Sequence, residues 1–253
     1  MIKLLLILIL LFTIYIYIGI SVSYQKVANL NGNGASLSIP NTLSDFTITF
    51  WLKTTDAGTH GRDIQFYEGK SIINGEVPWT VNDFGITLYD GKIAFGIGNP
   101  DITIFTPTTI NDGTWHHFAA MKSTNTINIW QDGTKVVEST SAPTAVRNSV
   151  TQLQIGNIVG MLSDCRIYNN ASTNYITESM TSSTSYQTNL IRWLKLNGNL
   201  LDSSNNAVSA TSTTVSYYVI CLAGTWTVDP FTTCTAAACS GNYHHYKNMI
   251  III

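Results

Sequence analysis

The stretch that most constrains the fold of this chain is residues 114–137, which has the pattern of two β-strands and the start of a third. Large apolar side chains recur at a spacing of two from 115 to 121 and again from 127 to 130. This spacing places side chains on one face of a pleated strand, whereas a helix needs a longer period. Asp132-Gly133 then favours a type I′ turn, which requires positive φ at both central residues. The sequence therefore predicts an antiparallel meander.

A second two-residue hairpin is predicted around Asp90-Gly91, because strand-like segments flank this dipeptide at 83–89 and 92–98. Counting back from the turn gives three facing pairs, which are Tyr89 with Lys92, Asp83 with Gly98, and Asn82 with Asn99. The loop at 75–81 and the loop at 99–101 are therefore expected to emerge at the same end of the sheet.

This register brings side chains with carboxylate or amide oxygens together on adjacent loops. The set is Glu76, Asn82, Asp83, Asn99 and Asp101. Ca²⁺ takes about 6–8 oxygen ligands, so the set predicts a calcium site. The alternative interpretation is that Asn and Asp occupy these positions because they favour turns.

Trp79 lies in the first of these two loops. One interpretation is that its ring is a platform for a sugar beside the cation, and the other is that it closes the edge of the core.

The pair His116-His117 has the composition of a metal site, but successive strand residues point to opposite faces. The two imidazoles are therefore not expected to converge on one ion.

Four segments, in order, resemble the laminin-G-like, concanavalin A-like jelly-roll domains. The central one is Asn-Asp-Gly-Thr-Trp-His-His-Phe-Ala-Ala at 111–120, followed by Ile-Trp-Gln-Asp-Gly-Thr-Lys-Val, and the flanks at 37–52, 81–100 and 153–169 agree with it. The resemblance covers about residues 25–172. It implies an all-β fold, a two-sheet antiparallel jelly-roll sandwich that we expect over residues 24–187, and in many such domains a calcium ion at the sandwich rim. The same architecture hosts many unrelated roles.

Catalysis and nucleic-acid binding are both disfavoured by the sequence. Glycoside hydrolases of this architecture need two carboxylates that face one bond, but the four glutamates are scattered and none has an acidic neighbour two residues away. No nucleophile elbow, zinc-protease helix or phosphate loop is found. The net charge of -2 and the absence of a Lys/Arg cluster argue against a nucleic-acid partner.

The first 23 residues are interpreted as a secretory signal peptide, with cleavage before Tyr24. A Lys near the start precedes an apolar run at 4–18, and small residues follow at 21–23. The alternative is a retained membrane anchor, because the run approaches the roughly 17–25 residues that span a bilayer. With cleavage, the mature chain would have no stable membrane span.

Cysteine usage and one sequon suit an oxidising compartment. The four cysteines, Cys165, Cys221, Cys234 and Cys239, are predicted to form at most two disulfides of unassigned connectivity rather than a zinc site. Residues 217–253 would be a cysteine-containing tail. Asn170 begins the single N-glycosylation acceptor pattern.

Residues 190–206 resemble the opening strand and turn of the same family, although they follow the segments they would normally precede. Residues 171–188 are interpreted as a Ser/Thr-rich linker. Residues 188–216 would then be a displaced strand that completes either its own sandwich or that of a neighbour, because an unpaired sheet edge accepts another strand. A truncated second domain is a third option.

These expectations together predict a secreted, non-catalytic recognition or adhesion module for glycans or a surface protein. The alternative is a structural subunit of an extracellular filament or coat, a homo-polymer assembled by strand exchange through residues 190–253.

Overall fold

The computed structural model describes residues 22–226 except 33, 41–42, 62–64, 80, 149, 182, 184, 186, 198, 206–209 and 212–215. The chain divides into two units, Val27–Tyr217 and a second unit formed by Met1–Lys26 with Tyr218–Ile253. In the second unit, the described elements are the first part of strand β1 (Val22–Asn29) and strand β14 (Ser216–Trp226), which are neighbours in one sheet.

The unit Val27–Tyr217 consists mainly of antiparallel strands. The strands between β1 and β14 are β2 (Ala35–Ser38), β3 (Phe46–Thr54), β4 (Lys70–Asn74), β5 (Phe84–Tyr89), β6 (Lys92–Ile97), β7 (Ile102–Phe105), β8 (Trp115–Ser123), β9 (Thr126–Gln131), β10 (Thr134–Ser139), β11 (Gln152–Ile155), β12 (Gly160–Tyr168) and β13 (Leu190–Leu194). The helical segments are a 3₁₀ turn at Phe66–Glu68, helix α1 at Asn174–Met180 and a 3₁₀ turn at Gln187–Asn189.

These strands form the two layers of an antiparallel jelly-roll sandwich, as the sequence predicted. One sheet has the order β10-β9-β8-β3-β12-β1, with β13 also paired to β12. The other has the order β2-β11-β4-β5-β6-β7. Between the sheets lies an apolar core to which β3 contributes alternate residues, Phe46, Ile48, Phe50 and Leu52, each at most 1% exposed. Burial of such large side chains stabilises the fold by about 1.5–3 kcal/mol each.

Both predicted hairpins are confirmed. Asp90 and Gly91 have φ of 47° and 72°, and Asp132 and Gly133 have φ of 49° and 80°. Tyr89 pairs with Lys92, as counted from the sequence, and Gln131 pairs with Thr134 on either side of the second turn. Positive φ at both turn residues gives the twist that right-handed strands need, which explains why an Asp-Gly dipeptide stands at each corner.

The predicted linker at 171–188 is wrong in part, because it contains helix α1. This helix covers the outer face of the β3-β8-β12 sheet. Tyr175 of α1 stacks on Tyr168 of β12 with ring centroids 4.1 Å apart. His117 of β8 is fully buried, and its Nε2 lies 3.1 Å from the Ser179 hydroxyl oxygen. The helix therefore shields polar residues of the outer face from solvent.

Strand β13 completes the sheet of its own chain. It runs antiparallel to β12, with Cys165 opposite Leu194 and Ile167 opposite Arg192. Its five residues are all buried. The sequence left open whether this strand pairs within its own chain or with a neighbour, and the structure contains the pairing within the chain.

Cys165 corrects the disulfide prediction. Its thiol is free and 1% exposed within the apolar core. The position alternates with Ile167 on β12, so the side chain points between the sheets and packs as a small apolar group. Cys234 and Cys239 lie outside the described residues, and Cys221 is described only as part of the backbone of β14.

The predicted signal peptide falls almost entirely outside the described residues, which begin at Val22. The predicted cleavage point before Tyr24 lies within β1. In the part of the chain that is described, no helix has both the length and the apolar character needed to cross a bilayer.

Candidate functional site

The two loops predicted to meet at one end of the β5-β6 hairpin do meet. The Gly98 amide donates a hydrogen bond to the Asp83 carbonyl oxygen at 3.0 Å, which extends the ladder one pair beyond Phe84 and Ile97. The Asn99 side-chain amide donates to the Asn82 side-chain oxygen at 3.1 Å. The register counted from Asp90-Gly91 therefore holds along the whole hairpin and fixes the position of the rim.

A cavity of about 390 Å³ opens between these loops, and we call it the rim cavity. Its lining residues are Tyr67, Glu76, Pro78, Trp79, Asp83 and Asp101. Three of the five predicted oxygen ligands thus reach one cavity. Asn82 and Asn99 do not line it and instead bond to each other, while the Asn82 amide also donates to the Asn148 side-chain oxygen at 3.3 Å.

Among the described residues, the three carboxylates of the rim cavity have few protein partners. Asp83 is 5% exposed, and from other residues of the described ranges its side chain accepts a long hydrogen bond of 3.4 Å, donated by the Val77 amide. Burial raises the pKa of Asp83, and the nearby Asp101 charge adds to this effect. Burial and the charge of Asp83 raise the pKa of Glu76 as well. The cavity therefore concentrates negative charge that a cation would stabilise.

Arg147 lies behind this charge and was missed by the sequence analysis. It is fully buried, and its Nη1 donates to the Gly98 carbonyl oxygen at 2.6 Å, while Nε donates to the Ala145 carbonyl oxygen at 2.9 Å. The guanidinium opposes the rise in the pKa of Asp83, and burial lowers the pKa of Arg147 itself. This residue ties the loop after β6 to the segment before β11. Nothing in the local sequence around 147 distinguishes it.

Gly98 is required by the close approach of the carboxylates. A Cβ at this position would collide with the Asp83 carboxylate and would lie 3.4 Å from Oδ1 of Asp101. Any larger residue would therefore displace Asp83 from the cavity.

Trp79 projects from the rim into solvent. Its exposed fraction is 103%, so it does not close the edge of the core. Its φ of 66° is left-handed, as are those of Asn82 (67°) and Asn99 (68°). Asparagine tolerates this region, but a bulky aromatic residue rarely occupies it without a local cost. The loop conformation thus presents the whole indole ring beside the carboxylates.

The calcium prediction is consistent with the chemistry of these donors but stays a prediction. Within the described ranges, no group of three or more His, Cys, Asp or Glu side chains is already close enough together to hold a metal ion. Glu76, Asp83 and Asp101 surround the rim cavity rather than a single point. Hard carboxylate oxygens are nevertheless the ligands that Ca²⁺ prefers.

Other predicted residues lie away from the rim cavity. His116 is half-buried between Asp132, whose Oδ2 is 2.8 Å from Nδ1, and Asp112, whose Oδ2 is 3.2 Å from Nε2. His117 points to the other side of the strand, as the pleat predicts, and burial lowers its pKa to about 4. Asn170 is exposed beyond β12, where its side-chain oxygen accepts a hydrogen bond from the Ala171 amide.

A laminin G family model, described as the concanavalin A-like lectin/glucanases superfamily, matches residues 30–174. The match covers more than half of the chain. The chain belongs to this superfamily. The rim cavity lies inside the matched segment, and so do β2 to β12, whereas β13 follows it.

Solved structures of similar fold include two with a TM-score above 0.5. A putative carbohydrate binding protein from Bacteroides ovatus is similar with a TM-score of 0.58 and 14% identity, over 80% of this chain and 61% of that protein. The heptameric SAP-like pentraxin from Limulus polyphemus has a TM-score of 0.52 and 15% identity, over 76% of this chain and 94% of that one. At these identities the likeness shows the fold alone. No curated protein sequence matches this superfamily member.

Proposed function

We propose that this chain is a non-catalytic recognition module that binds glycans, or the glycans of a surface protein, through the rim cavity. The observation that carries the proposal is the pairing of a fully exposed Trp79 with three carboxylates on one cavity. An aromatic ring face packs on the apolar face of a sugar, and polar groups beside it fix the orientation of the sugar. The carbohydrate-binding name of the Bacteroides ovatus neighbour supports the same function.

Calcium is part of this proposal. Glu76, Asp83 and Asp101 would supply carboxylate oxygens. Burial and then the neighbouring carboxylate charges raise the pKa values of Glu76 and Asp83, and the ion would offset both effects. A bound Ca²⁺ also retains coordination positions that sugar hydroxyls or waters can fill. Asn82 and Asn99 would support the loops through their mutual hydrogen bond rather than bind the ion.

An extracellular location is also proposed. It is supported by the apolar segment at 4–18 followed by small residues, and by the low content of charged residues, 11% of the chain. N-terminal sequencing of secreted protein would test it, because the proposal expects the mature chain to begin at Tyr24. The predicted glycosylation at Asn170 would appear as a mass shift that Asn170→Gln removes.

Glycan-array binding with matched variants tests the main proposal. Trp79→Ala should abolish the array signal, whereas Leu201→Ala, which removes another exposed apolar side chain (57% exposed) outside the cavity, should leave it intact. Unchanged binding by Trp79→Ala would remove this residue from the site. Absence of signal for the unaltered protein would refute the proposed function.

Calorimetric titration with CaCl₂ tests the cation. Asp83→Asn should weaken Ca²⁺ uptake, while Asp90→Asn at the turn end of β5, about 20 Å away for six strand residues, should not. Absence of heat, together with a melting temperature that chelator does not change, would rule out calcium without refuting glycan binding.

The alternative role is a subunit of an extracellular filament that assembles by strand exchange through residues 190–253, and exchange of β13 would require this strand to leave β12 and pair with a neighbour. Its buried side chains and its antiparallel pairing within the chain argue against this exchange. Negative-stain microscopy of secreted protein would distinguish the two roles, since discrete particles favour the recognition module and filaments favour the subunit.

A further inference from the structure

The charge that lines the rim cavity has one sign. Glu76, Asp83 and Asp101 are its ionisable residues apart from Tyr67, and among the described residues no Lys or Arg side chain lines it. Asp83 is the most buried of the three, being 5% exposed, and its side chain accepts a long hydrogen bond of 3.4 Å from the Val77 amide. A ligand that enters this cavity therefore meets carboxylate oxygens before any positive group of the described chain.

Among the described residues, the guanidinium whose charge acts on Asp83 is that of Arg147, and it cannot serve a ligand. Arg147 is fully buried, and it donates hydrogen bonds to the main-chain carbonyls of Gly98 and Ala145. Arginine recognises sulfate, phosphate or carboxylate through exposed, paired N–H donors. Here those donors hold the loops of the rim, so Arg147 positions the site and does not contact the ligand.

The charge balance remains negative even with a cation bound. Three ionised carboxylates and one divalent ion leave a formal charge of -1 on the lining. Repulsion between like charges is long-ranged at low ionic strength and is suppressed by salt. The carboxylates would thus oppose an anionic ligand that does not coordinate the calcium ion directly.

We propose that the rim cavity selects neutral glycans and rejects sulfated or carboxylated ones. Trp79 gives the ring face that any sugar can use, and the carboxylates give acceptors for sugar hydroxyls and repel anionic substituents. This inference rests on the proposed glycan-binding function and adds the class of glycan. It separates this chain from a module that recognises polyanions.

A glycan array that holds neutral glycans beside their sulfated counterparts tests the selection directly. At about 0.05 M NaCl the neutral member of each bound pair should give at least about a tenfold stronger signal, and the gap should narrow at about 0.5 M because salt screens the repulsion. Trp79→Ala should remove the neutral signal at both salt concentrations, which assigns the binding to this cavity.

The outcomes distinguish the inference from the function on which it rests. Equal or stronger binding to the sulfated members would overturn the inference and leave glycan binding intact. A neutral preference that does not change with salt would also overturn it, since the cause would then not be charge. Lack of binding to both classes would refute the proposed function itself.

Discussion

Two substitutions at Trp79 can separate the energetic cost of its left-handed backbone from the contribution of its indole ring to binding. The residue has φ of 66° and an exposed fraction of 103%. Trp79→Ala removes a ring that buries no area and keeps a Cβ in the left-handed region. The free energy of unfolding should therefore change by less than about 0.5 kcal/mol, as for other surface substitutions.

Trp79→Gly also removes the Cβ, and this adds a second effect. A left-handed conformation costs a residue with a Cβ roughly 1–2 kcal/mol, whereas the extra freedom of glycine in the unfolded chain costs roughly 0.5–1 kcal/mol. We take about 1.5 kcal/mol for the conformational cost of the Cβ and about 0.7 kcal/mol for the entropic cost of glycine. The Gly variant is therefore expected to be about 0.8 kcal/mol more stable than the Ala variant.

Urea unfolding measures this difference. With a slope of about 2 kcal/mol per M, the midpoint of the Gly variant should lie about 0.4 M above that of the Ala variant, at an unchanged slope. Both variants should lose glycan binding equally, because both lack the ring. Equal midpoints would refute the left-handed conformation at 79, and a loss of more than about 1 kcal/mol in the Ala variant would refute the exposure of the ring.

Three further predictions concern other parts of the sandwich. Burial lowers the pKa of His116, but its hydrogen bonds with Asp132 and Asp112 outweigh burial and raise the pKa overall. The stability that the protonated imidazole contributes should therefore be complete below about pH 6.5 and lost as the pH rises through the pKa of the folded protein. Urea unfolding should find this fall in the unaltered protein and not in His116→Gln. Burial raises the pKa of the Cys165 thiol, so peptide mapping should find it alkylated by iodoacetamide only after unfolding, and alkylation of the native protein would contradict its burial. Trp193→Ala should lower the free energy of unfolding by about 3 kcal/mol in the same urea assay, because Trp193 is 8% exposed and its ring centroid lies 4.5 Å from the Arg166 guanidinium carbon. A loss below about 1 kcal/mol would mean that β13 contributes little to stability.

Much of the fold follows from local rules that act over a few residues. The two Asp-Gly turns fix the register of their hairpins, and the register of β5 with β6 alone places Asp83 opposite Gly98. That count was sufficient to bring Glu76, Asp83 and Asp101 to one cavity. Period-two burial and turn chemistry are readable from sequence because both partners lie close together along the chain.

What the sequence did not reveal depends on contacts between distant residues. Arg147 lies far in sequence from Gly98, its carbonyl partner, and no pattern near 147 indicates that it is buried. Helix α1 has only seven residues and no side-chain N-cap, and its segment has the Ser/Thr-rich composition of a linker. The helix depends on its contacts with Tyr168 and with His117, which lies far from it in sequence. Counting cysteines could not show that Cys165 faces the core, whereas its alternation with Ile167 in the sequence does indicate it.

The late position of β13 in the sequence has a consequence for synthesis of the chain. Strand β12 has its full set of partners only when Leu190–Leu194 is present, although β2 to β12 precede this strand. A nascent chain that has reached residue 174 therefore has every strand of the matched segment, whereas residues 165–168 of β12 still lack their partner in β13. Premature termination before 190 would leave this edge exposed to other chains, whereas a short peptide that carries 188–205 could in turn act as a complementing fragment for such a truncated product.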